Sequence, residues 1–186
     1  MRPLAMRRTA RQRRPAAAAT LTRKYHSQQH QHTQITTHNT FTIMTQTERT
    51  QLTPHFKLYE FTRSGVAADH DLPNCPNAAQ TAALQALCQN VLEPLRHRFG
   101  PIVISSGFRS PAVNRLIPGA APASQHTKGE AADIVVGTPE RATALYRFIR
   151  DHLDFDQLIW EPIDAPVPRW IHVSYTRRRK NRHSVL

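Results

Sequence analysis

From Phe56 onward the apolar residues follow two rhythms, and the changes between them mark out the elements of a compact domain. His55-Phe56-Lys57-Leu58-Tyr59-Glu60-Phe61 alternates apolar and polar, the period of a short strand or docking segment. Loop-forming Asp69, Asp71, Pro73, Asn74 and Pro76 follow. Asn77 predicts the N-cap of a helix in which Ala83, Leu84, Leu87, Cys88, Val91, Leu92 and Leu95 recur at helical spacing. Pro94 lacks an N–H for that helix and is expected to kink or divide it, and Gly100-Pro101 to end it. Ile102-Val103-Ile104 reads as a short strand, Pro111 to Leu116 as a short helix or turn, and Pro118-Gly119 through Pro122 as a loop. Ala131 to Val136 predicts a strand, and Pro139 to His152 a helix capped by Thr138. Gln157 to Trp160 and Arg169 to Tyr175 predict two more strands. Strands and helices mix without regular βαβ alternation, so the expected fold class is α+β.

Residues 1–43 show neither rhythm. Arg-rich text passes into PAAAAT and then into a Gln/His/Thr stretch with almost nothing to bury, which reads as a disordered basic extension. His26, His30 and His32 fit a solvated polar tail better than a metal site. Ala16 to Leu21 is too short for a signal-peptide core, which needs about 7–15 apolar residues. Globular patterning begins only after Met44, which is the expected natural start. The organisation predicted is an extension over 1–43, a domain over 44–176 and a basic tail over 177–186.

Charge follows the same division. The 186-residue chain carries a formal +12, but eight bases and no acid lie in residues 1–43, and five bases and no acid in residues 177–186. The body holds the other twelve bases against all thirteen acids and is close to neutral. That argues against nucleic-acid binding by the folded part. No run approaches the roughly 18–20 apolar residues of a membrane span. Two cysteines, Cys75 and Cys88, make neither a disulfide scaffold nor a four-cysteine zinc site, and Cys88 reads as a small core residue.

Candidate chemistry concentrates in Ser105-Ser106-Gly107-Phe108-Arg109-Ser110 and in Ser124 to Asp133. His126 and Asp133 are seven residues apart, about 10 Å along a helix, so they suit instead a loop that turns at Gly129 into a strand. Asp133 sits among Ala131, Ala132, Ile134, Val135 and Val136, where a carboxylate needs a partner or a cation. His172, in Trp170-Ile171-His172-Val173-Ser174, is a second polar group in an apolar strand. His/Asp/His with one open position is an ordinary catalytic zinc shell. Taken singly, His126 also suits a surface loop, Asp133 a salt bridge to Arg109, and His172 a satisfied core position.

Ser-x-His-x-x-Gly-x-Ala-x-Asp, preceded by Ser-Gly-Phe-Arg-Ser and followed by Trp-Ile-His-Val-Ser, resembles the M15 zinc peptidases. Val91 to Arg96 and Asp156 to Glu161 match further segments of that group, and the resemblance spans about residues 55–176. It implies the hedgehog/DD-peptidase type of fold, a small antiparallel sheet with flanking helices. It also implies one zinc ion on His126, Asp133 and His172, and hydrolysis of D-alanyl or L-alanyl–D-glutamyl amides in peptidoglycan stem peptides. Arg109 corresponds to the family's substrate-binding arginine, and its fork suits a carboxylate or a developing oxyanion. Ser124 corresponds to the motif serine that sets the loop or bonds substrate; no nucleophile context surrounds it.

One position departs from the best-known pattern. Where many M15 enzymes place an acid three residues before the last zinc histidine, this chain has Arg169, which cannot act as a base. Glu161 is the expected general base, with Asp164 and Glu130 as rivals in more turn-like, exposed text and His152 as a further candidate. The same departure keeps open a non-catalytic, zinc-containing wall-binding module. The basic ends suit either solubility or anionic wall polymers. A monomer is expected, cytoplasmic until released to the wall, or virion-associated.

Overall fold

The structure, a computed structural model, describes residues 50–186. The expectations for residues 1–43 and for Met44 lie outside the described residues. β1 (Gln51–Thr53) and β2 (Phe56–Lys57) form an antiparallel ribbon, followed by the short helices α1 (Leu58–Thr62) and α2 (Gly65–Asp69). The alternation from His55 to Phe61 therefore splits between a two-residue strand and a helix. Phe56, Leu58 and Phe61 are all buried, which two kinds of backbone serve equally well. Neither β1 nor α2 carries enough apolar text to be read from sequence.

Asn77 caps α3 (Ala78–Leu87) in a reciprocal box with Gln80: Oδ1 accepts from the Gln80 N–H, and Gln80 Oε1 accepts from the Asn77 N–H. The helix widens into one π-turn over Cys88–Leu92, then resumes as α4 (Glu93–Phe99) with Pro94 in its first turn. This is the expected division, achieved by a wider turn just before the proline. Gly100, at φ 75°, ends α4. Cys88 is fully buried in the core and Cys75 is exposed; both are free thiols.

β3 (Ile104–Ser106), β4 (Ala131–Val135), β5 (Gln157–Glu161), β6 (Trp170–Ser174) and β7 (Ser184–Val185) form one sheet in the order β3-β4-β6-β5-β7. All pairs are antiparallel except β5 with β7. Ile104 rather than Ile102 begins β3. α5 (Pro111–Leu116) follows β3, and α6 (Pro139–His152), capped by Thr138, packs on β5, β6 and α4. The result is the expected α+β class with a small antiparallel sheet and flanking helices.

Strand alternation gives the sheet two characters. Ala132, Ile134, Leu158, Ile171 and Val173 are buried against Leu145 and Ile149 of α6 and the α3–α4 helix. The opposite face carries three cross-strand rows set by the register: Val135–Trp170–Glu161, Asp133–His172–Ile159 and Ala131–Ser174–Gln157. The candidate chemistry occupies this second face.

Residues 177–186, read from sequence as a tail beyond the domain, are held on it. Arg178 pairs with Glu130 through both carboxylate oxygens (2.6 and 2.8 Å), and Arg179 and Arg182 both pair with Asp156. Glu130 and Asp156 are buried, so these arginines neutralise charges that would otherwise be costly. Burial alone would raise both carboxyls, yet the arginine bonds hold each below its ordinary range. The segment then adds β7 to the sheet edge, where Leu186 exchanges backbone bonds with Leu158 and Trp160.

Candidate metal centre

The turn carrying His126 is fixed at both ends. Ser124 Oγ accepts from the His126 N–H and caps a 3-10 turn over Gln125–Lys128, the loop-setting one of its two expected roles. Gly129 ends that turn at φ 71°, and a Cβ there would lie 2.4 Å from the Gln80 carbonyl oxygen. Glycine is required on both counts. Gln80 Nε2 in turn donates to the Thr127 carbonyl (3.0 Å), so α3 braces the loop. The chain then enters β4, which carries Asp133 directly opposite His172 on β6.

These elements bring His126, Asp133 and His172 together, all buried. His126 Nε2 lies 3.1 Å from His172 Nδ1 and 3.2 Å from Asp133 Oδ1, and His172 Nδ1 lies 2.9 Å from the same oxygen. His126 Nδ1 is 2.6 Å from the Gly107 carbonyl, which can only accept, so Nδ1 carries the ring proton. Burial disfavours the charged form of His126 and lowers its pKa, although Asp133 works the other way. In the neutral ring Nε2 is then a bare lone pair facing two further donor atoms. At most one proton, on His172 Nδ1, serves all three.

A divalent cation satisfies such a set. Zinc bonds of about 2.0–2.1 Å at tetrahedral angles separate neighbouring donors by about 3.3 Å, within a few tenths of an ångström of these three edges. Two imidazoles and a carboxylate are also zinc's ordinary ligand chemistry.

Arg109 lies beside the cluster, its Nη2 donating to Asp133 Oδ2 (2.7 Å) and its Nε to Ser106 Oγ (2.9 Å). The salt bridge that the sequence left open for Asp133 is therefore present in this structure. Its backbone N–H donates to the His126 carbonyl, which locks the two motif loops together. Gly107 runs so close to Phe61 that a Cβ would meet the Phe61 Cα at 2.7 Å. Buried Asn74 ties the same loop down through the Phe108 carbonyl and the Ser110 N–H. Sequence reading took Asn74 only as a loop signal. An Asn between two prolines, facing text rich in Ser and Gly, was the available hint.

The carboxylates named as rival bases separate clearly. Glu161 is half-buried on the site's face, opposite Trp170 and one row from His172. Asp164 is exposed in the loop after β5. Glu130, expected in exposed text, is buried and committed to Arg178 and Thr176. His152 ends α6 on the other side of the sheet, exposed and in ring contact with Phe148.

No curated protein matches the chain. Residues 54–174 match the family model for Peptidase M15, a span that holds the brace at Gln80, both motif loops, all three clustered donors, Arg109 and Glu161. With about two thirds of its length inside that match, the chain belongs to the M15 peptidase family.

Proposed function

We propose that this peptidase is zinc-dependent and hydrolyses amide bonds in peptidoglycan stem peptides. The observation that carries the reading is the convergence of His126 Nε2, Asp133 Oδ1 and His172 Nδ1, three buried potential ligand atoms 2.9–3.2 Å apart. Held by these three residues, zinc supplies Lewis acidity that polarises the scissile carbonyl and acidifies a water molecule. Gly107 fixes the His126 tautomer, so its Nε2 is always available to the metal. Glu161 removes the proton of the attacking water and returns it to the leaving amine. Arg109, by exchanging part of its bond to Asp133 for substrate, steadies the oxyanion or a peptide carboxylate. Ser124 acts by holding the His126 turn. The stem peptide as substrate follows from the resemblance to D-alanyl carboxypeptidases and L-alanyl–D-glutamate endopeptidases.

Arg169, exposed where many relatives carry an acid, favours a second reading in which zinc is kept and catalysis is not. Elemental analysis together with digestion of defined muropeptides, with and without chelator, separates the two. Chelator-sensitive release of an alanyl or glutamyl product supports the peptidase; bound zinc with intact muropeptides supports the binding module.

A further inference from the structure

A second buried carboxylate between two imidazoles lies away from the sheet. Glu93 opens α4 with its side chain about 10% exposed, and His97 follows one turn later on the same helix face. The third member comes from the turn between β1 and β2. His55 donates its backbone N–H to Glu93 Oε1 (2.9 Å) and places Nδ1 2.7 Å from Oε2. His97 Nε2 stands 3.9 Å from the same Oε2, and the two rings meet edge to face at 5.4 Å. All three donor atoms lie within 4.8 Å of one another.

The carboxylate sets the problem here. Burial would raise the Glu93 carboxyl, but the Thr53 hydroxyl and then His55, both beside its oxygens, hold it below its ordinary value. It is therefore an anion at neutral pH, and its ion-pair partners among the described residues are imidazoles rather than Lys or Arg. Oε1 is occupied by a backbone N–H, which leaves Oε2 facing two rings whose outer edges reach solvent. The His97 side chain is 72% exposed and free to close the remaining gap by a small ring movement. We propose that His55, Glu93 and His97 form a second metal site, one for a first-row divalent cation of the zinc or nickel class, clamping the β1–β2 turn to α4. Two imidazoles and one carboxylate select such ions over magnesium or calcium.

The test uses the full-length protein stripped with chelator and then equilibrated with zinc chloride alone. Bound zinc is counted by elemental analysis, and melting temperature is followed against zinc concentration. Wild type is expected to hold about one zinc more than His97→Ala, and zinc should raise its melting temperature further. His55→Ala should match His97→Ala. Histidines elsewhere in the chain are common to all variants and cancel in the difference. The comparison is repeated in a His126→Ala background, where the difference should persist, so loss of the central metal leaves this result standing. Equal zinc content and equal zinc-dependent melting in wild type, His97→Ala and His55→Ala would overturn the proposal.

Discussion

The two His–carboxylate–His clusters have the same composition and opposite surroundings. Around Asp133, both rings are buried, one ring's far nitrogen is tied to a backbone carbonyl, and Arg109 occupies the carboxylate's second oxygen. Around Glu93, only the carboxylate is buried, and the rings sit on a turn and an exposed helix face. On the proposed function, it is the supporting bonds, more than the donors, that separate a preorganised catalytic centre from a surface clamp. In the first cluster the supports fix the His126 lone pair and the Asp133 carboxylate before any ion arrives. In the second, a ring has to move.

The largest effects should come from the central donors. His126→Ala and His172→Ala are each expected to remove the central zinc and all hydrolysis, because two remaining protein ligands do not hold a catalytic metal. Full central occupancy in His172→Ala would mean that the strand-borne histidine is not a ligand. Among the described residues no further carboxylate joins the peripheral cluster as Glu161 adjoins the central one, so the next largest effect tests that asymmetry. Glu161→Gln should keep zinc while turnover falls by about 10²–10⁴-fold, the usual worth of general acid–base catalysis. Asp164→Asn, altering an exposed loop carboxylate, should stay within a few-fold of wild type. If Asp164→Asn abolishes turnover and Glu161→Gln does not, the roles reverse.

What was legible in the sequence follows the same contrast. His126 and Asp133 sit in a motif whose Gly129 announces a turn entering an apolar strand, and their grouping with His172 came from the resemblance to the M15 peptidases. The α3–α4 helix was readable because Asn77, Pro94 and Gly100 punctuate it chemically. The peripheral cluster was not, since His55 and Glu93 are 38 residues apart in sequence and meet only through the folding of the β1–β2 ribbon onto α4. The C-terminal segment misled for a related reason. A run of arginines reads as solvated when its buried partners, Glu130 and Asp156, lie more than 20 residues upstream. Glu130 was misread as exposed on the same ground.

The supports themselves can be weakened without touching a donor. Gly107→Ala pushes a methyl group against the Phe61 backbone, and the loop has to shift to admit it. Overpacking of this kind costs about 1–3 kcal/mol of stability. The displaced carbonyl no longer orients His126, so central zinc affinity should fall by about 10–100-fold. Denaturant titration and competitive chelation measure the two effects separately. An unchanged zinc affinity would show that the Gly107 carbonyl does not set the ring.

The smallest expected effect belongs to the exposed ring of the peripheral cluster, measured with metal removed. His97 is 3.9 Å from Glu93 Oε2, beyond hydrogen-bond reach, and its ion pair requires a protonated imidazole in contact with water. Alanine is also the better helix former, so His97→Ala gains part of what the lost contact contributed. In chelator, urea unfolding of His97→Ala should therefore differ from wild type by less than about 0.5 kcal/mol. A loss above about 1.5 kcal/mol under those conditions would show that the ring already holds Glu93 without an ion. The two clusters would then differ less in preorganisation than their burial indicates, because the outer ring would be a fixed structural partner.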